Sequence, residues 1–67
     1  MQQNEQSIFN TLVALVGHTV EVGRHSNAGK AITGIVTNAM FDSFILCIGG
    51  KNQIIPFSDI AYLSRSK

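Results

Sequence analysis

Few residues in this chain can make or break a bond: His18, His25, the single Cys47, and the carboxylates Glu5, Glu21, Asp42 and Asp59. Neither histidine has a serine, cysteine or carboxylate at the spacing of a general base and its nucleophile. Two histidines and one cysteine make no metal-ligand pattern. Phosphate loop, nucleophile elbow and His-Glu-x-x-His helix are all absent. The sequence therefore predicts no catalytic residue, no metal site, no cofactor and no small-molecule substrate. Cys47, within the apolar run Ile45-Leu46-Cys47-Ile48, reads as a small buried side chain and has no partner for an internal disulfide. What remains is recognition chemistry. Arg24, Lys30 and Lys51 fall in turns or at strand ends, where they can gather on one rim. Five basic residues against four acids give a net charge of +1, too little for one chain to attract a polyanion nonspecifically. A ring would multiply that charge by its subunit number.

Length and composition define the body that must carry these groups. At 67 residues the chain makes one domain, and a domain of this size buries only about 60% of its unfolded surface. With 45% apolar and 13% charged residues, against about 25% charged in ordinary soluble domains, apolar surface is left over for an interface. A homo-oligomer is expected. The segment Met1-Gln2-Gln3-Asn4-Glu5-Gln6 has neither a basic region nor an apolar stretch of the kind that targets a chain for export, and one thiol suits a reducing setting. No apolar run approaches the roughly 18 residues that span a bilayer. These features predict a soluble, cytoplasmic protein.

Three stretches are expected: a flexible tail over residues 1–6, one domain over 7–64 and a short tail over 65–67. From Ser7 to Val16 the residues Ile8, Phe9, Leu12, Val13, Leu15 and Val16 share one helical face. Asn4 or Ser7 can cap this helix, and Gly17 suits the residue past its end. Through Phe9, Leu12, Val13 and Val16 the helix is expected to dock on a sheet, since no second helix exists to cover it. Beyond Gly17 the chain reads as five short strands: His18 to Arg24, Lys30 to Met40, Phe44 to Ile48, Gln53 to Phe57 and Ile60 to Ser64. Gly34 marks a bend or a close approach of backbones. Gly49-Gly50-Lys51-Asn52 reads as a hairpin turn, and Pro56 belongs at an edge, a bulge or a strand end. A mainly β fold follows, with an N-terminal helix and a strongly bent, five-stranded antiparallel barrel.

The order and spacing of several segments narrow the choice of barrel. Gln6-Ser7-Ile8-Phe9 is similar to the Gln-Asp-Leu-Phe that opens the helix of the Sm-like family's bacterial RNA-chaperone branch, the Hfq proteins. Gly29 and Gly34 match the spacing of that family's second-strand hairpin. Phe41-Asp42-Ser43-Phe44-Ile45-Leu46 resembles its Phe-Asp-Gln-Phe-Val-Ile, and Gln53-Ile54-Ile55 its Gln-Leu-Val. The resemblance runs from Gln6 to Leu63 and implies an Sm-like (SH3-type) barrel assembled into a ring of about five to seven subunits.

It also implies where single-stranded RNA would bind. Phe44 matches the aromatic that stacks on a base, with Phe41 competing for that role on pattern alone. Gln53 matches a glutamine associated with purine recognition. Asn38 and the basic Lys30, Lys51 and Arg24 complete the expected RNA-binding set, while Asp42, Gly29 and Gly34 shape loops. Two departures alter the expectation. Between Gly34 and Phe41 the chain has about two residues more than the family spacing, which predicts a bulge or longer loop there. Where the family carries Tyr-Lys-His or Arg-Gly, this chain has Pro56-Phe57-Ser58-Asp59, so the uridine pocket loses its cation and Asp59 would repel phosphate. A structural module that assembles and binds protein partners without RNA is the alternative, with Pro56-Phe57 as contact surface.

Overall fold

Ile8, Leu12 and Leu15 recur at the spacing that puts them on one side of a helix, and they anchor helix α1, Glu5–Leu15, to the sheet. The computed structural model describes the backbone of residues 5–66 and the side chains of residues 7–66. Most of the tail expected over residues 1–6 lies outside the described residues, as do Asn4 as a cap and Lys67; Glu5 and Gln6 belong to the helix. Leu12 is fully buried, with Ile8, Phe9 and Leu15 packed against the core around it. The broader docking face is corrected. Val13 and Val16 are 49% and 43% exposed because they sit to the side of the Ile8, Leu12, Leu15 line. Gly17, at φ +88°, ends the helix in the left-handed conformation that glycine adopts most readily. Its N–H donates to the Val36 carbonyl at 2.7 Å, which ties the helix end to the sheet.

Five antiparallel strands follow: β1 Thr19–Arg24, β2 Ile32–Ala39, β3 Ser43–Ile48, β4 Lys51–Pro56 and β5 Ile60–Arg65. The sheet order is β4-β3-β2-β1-β5, so the first four strands form a meander and β5 returns to pair with β1. The Gly49-Gly50 hairpin is tighter than expected. Both glycines have positive φ, 57° and 85°, as a two-residue hairpin loop demands, and Lys51 and Asn52 already belong to β4. Arg65, expected in a tail, is the last residue of β5. A register shift lies between Val36 and Asn38 in β2, where the extra residues before Phe41 predict a bulge. Gly34 is needed for close packing: a Cβ there would stand 2.5 Å from the Cys47 carbonyl oxygen.

Val20, Val22, Val36, Phe44, Leu46 and Ile55 alternate inward from β1 to β4 and form the core with Leu12 and Phe57. The sheet is open, with β4 and β5 as its two edges. Only the 3-10 turn Phe57–Asp59 separates them in sequence, so the sheet must curl for the chain to pass from one edge to the other. The Phe57 N–H donates to the Asp42 carbonyl at 3.0 Å and holds that crossing against the β2–β3 turn. Pro56, which has no N–H to give a ladder, is the final residue of edge strand β4. Among the described residues no helix is long and apolar enough to cross a membrane.

Candidate interaction surfaces

The meander sorts the expected site residues to opposite ends. Its β1–β2 and β3–β4 connections lie at one end, with Arg24, Gly29, Lys30 and Lys51; the β2–β3 turn, with Asn38, Phe41 and Asp42 in or beside it, lies at the other. Chain direction alone requires this of an up-and-down sheet. The six residues expected to bind RNA therefore do not form one cluster.

Phe44 calls for a correction. Its ring is fully buried between the strands, and a ring without an exposed face has nothing to offer a base. Inward alternation along β3 fixes this, since Phe44 and Leu46 share the face that meets Ile55. Phe41, three residues earlier, is 83% exposed and is the aromatic that solvent meets. Asn38 is exposed beside the β2 bulge, opposite Ile45. Gln53 is half-buried and faces Leu46 across the β3–β4 ladder, which puts it on the inner side of an edge strand. Asp42 holds its turn through its carbonyl and through a long 3.3 Å hydrogen bond from the Ser43 hydroxyl.

Arg24 is an ion-pair partner rather than an isolated cation. Its Nε donates to Asp59 Oδ2 at 2.9 Å, and the same carboxylate accepts from the Ser26 N–H at 2.8 Å and the Ser26 hydroxyl at 2.7 Å. Those bonds, led by the Ser26 hydroxyl and aided by Arg24, hold the Asp59 carboxyl below its ordinary range against a smaller opposing effect of burial. Asp59 thus fastens the β4–β5 crossing to the start of the β1–β2 connection. Lys30 and Lys51 stay exposed, and Gly29, at φ +86°, sits in the turn closed by the Lys30 N–H on the Asn27 carbonyl.

A second fixed group went unnoticed in the sequence. Tyr62 Oη donates to Glu21 Oε2 at 2.7 Å, which raises the phenol above its ordinary value, and its ring packs over Gly23 where a Cβ would otherwise stand. A glycine directly across a strand pair from an aromatic was the available signal. On the outer face of β2, β3 and β4 the ladder sets Ile35 beside Cys47 and Ile45 beside Ile54. Ile54 is 63% exposed, so an apolar strip runs to the free β4 edge. No family model and no curated protein matches the chain.

Proposed function

We propose that this protein is a non-catalytic Sm-like assembly module that closes into a homo-oligomeric ring, β4 of one copy pairing with β5 of the next, and presents surfaces to protein partners. One observation carries the reading: the sheet has two different free edges, brought round by a three-residue crossing. Each edge exposes unpaired backbone donors and acceptors, which favour another strand. Joining one kind of edge to the other is a head-to-tail contact, and a head-to-tail contact that repeats by rotation closes a ring. The apolar strip ending at Ile54 supports protein contact beside the edge. Light scattering coupled to size exclusion tests the assembly. A discrete species of several times the 7.3 kDa chain mass is expected, and Ile54→Lys should weaken it. A monomer at micromolar concentration sinks the reading.

Exposure of Phe41 favours a second reading, in which the ring binds single-stranded RNA. An aromatic that is 83% exposed, at the same end of the sheet as the exposed Asn38, offers stacking surfaces that any base can use when it is repeated around a ring. Titration with oligo-U, oligo-A and a mixed strand at two salt concentrations decides this, because phosphate contacts by Lys30 and Lys51 would weaken steeply with salt. No binding at low salt leaves the assembly module alone.

A further inference from the structure

We propose that the cavity between the β1–β2 connection and β5 binds a small phosphomonoester that carries an aromatic group. The cavity measures about 360 Å³, within the range of ordinary small-ligand sites. Arg24, His25 and Lys30 line it, together with Gly23, Gly29 and Tyr62. Thus two of the chain's five Lys and Arg residues and one of its two histidines meet there, while none of its four carboxylates lines the wall. Asp59 stands behind Arg24 and orients it. Asp59 takes only Nε, which leaves the two terminal amino groups of the guanidinium in the geometry that suits a phosphate. Lys30, on an exposed turn, adds a second positive charge that can reach the anion.

The opposite wall explains the aromatic part of the ligand. Tyr62 is 47% exposed, yet its ring is held at the hydroxyl by the hydrogen bond to Glu21 and along one face by packing over Gly23. A ring already held still loses little freedom when another ring packs against it. A phosphomonoester is favoured over a phosphodiester because the monoester carries close to two negative charges at neutral pH, which strengthens its contact both with Lys30 and with the guanidinium edge that Asp59 leaves open. Every residue that lines the cavity belongs to one chain, and its β5 wall, Ala61 and Tyr62, lies on an edge strand of the sheet.

Calorimetric titration of the full chain with phenyl phosphate, inorganic phosphate and phenol tests the proposal. Phenyl phosphate should bind at least about tenfold more tightly than either fragment, because it uses both walls. Lys30→Gln should weaken it by about tenfold, the loss of one charge-assisted contact. Lys30 is exposed, so this variant keeps its fold. The proposal is overturned if phenyl phosphate binds no better than phenol, if it does not bind at all, or if Lys30→Gln leaves its affinity unchanged. It is overturned equally if an oligoadenylate without a terminal phosphate displaces phenyl phosphate at lower concentration, since that outcome assigns the groove to nucleic acid.

Discussion

Asp59 and Arg24, 35 positions apart, are joined by a 2.9 Å bond that clips the crossing between the two sheet edges to the end of β1. Since the folded state holds the Asp59 carboxyl below its ordinary 3.8, the linkage has a definite sign. Its contribution is complete above the unfolded value and disappears as pH falls through the lower folded one. Chemical denaturation followed from neutral pH into this acid range should show wild type losing stability more steeply than Asp59→Asn. Parallel pH profiles for the two proteins would remove the clip from the stability account.

At the alkaline end the sign reverses. Tyr62 is the only tyrosine, so tyrosinate absorbance reports it alone, and its midpoint should lie above 10.0 because ionisation would break the hydrogen bond to Glu21 and set a phenolate against that carboxylate. That stabilisation is present below 10.0 and is lost as pH rises through the raised folded value. Glu21→Gln should bring the midpoint down toward the ordinary one. An unchanged midpoint in that variant would show that the bond has no weight in solution.

Helix docking is tested by a neighbouring pair. Leu12 is fully buried, whereas Val13 is 49% exposed. Leu12→Ala should cost about 2 to 4 kcal/mol, and Val13→Ala less than about 0.5 kcal/mol. Equal denaturant midpoints for the two variants would mean that the helix does not seal the core.

The two phenylalanines flanking Asp42 and Ser43 should separate stability from binding. Phe44→Ala removes a fully buried ring and should destabilise by about 3 to 5 kcal/mol. Phe41→Ala should leave the unfolding midpoint nearly unchanged and, if single strands bind, weaken them by about 1 to 3 kcal/mol. A stable Phe44→Ala protein with impaired RNA binding would restore Phe44 to the surface.

Regular elements were largely legible because local chemistry decides them. Helical spacing of Ile8, Leu12 and Leu15, β-branched alternation in Val20 and Val22, and the paired Gly49-Gly50 each act over a few residues. Strand ends moved by one or two positions, as at Lys51 and Arg65. The candidate site was far less readable. Phe41 and Phe44 are alike in type, and they differ because Phe44 takes an inward position of β3 opposite Ile55 while Phe41 stays in the turn before that strand begins. Arg24, read as a free rim cation, acquires a partner from a turn that approaches it only once the sheet has curled. Distances along the chain carry no trace of that meeting.

Pairing of β5 with β1 also separates early contacts from late ones when the chain refolds. The β2-β3-β4 meander joins neighbours in sequence, the kind of contact that forms fastest. Strand β1 keeps one flank unpaired until Ile60–Arg65 reaches it. At high protein concentration that flank can accept β5 of another copy in place of its own, so strand exchange between copies is the characteristic error of this topology.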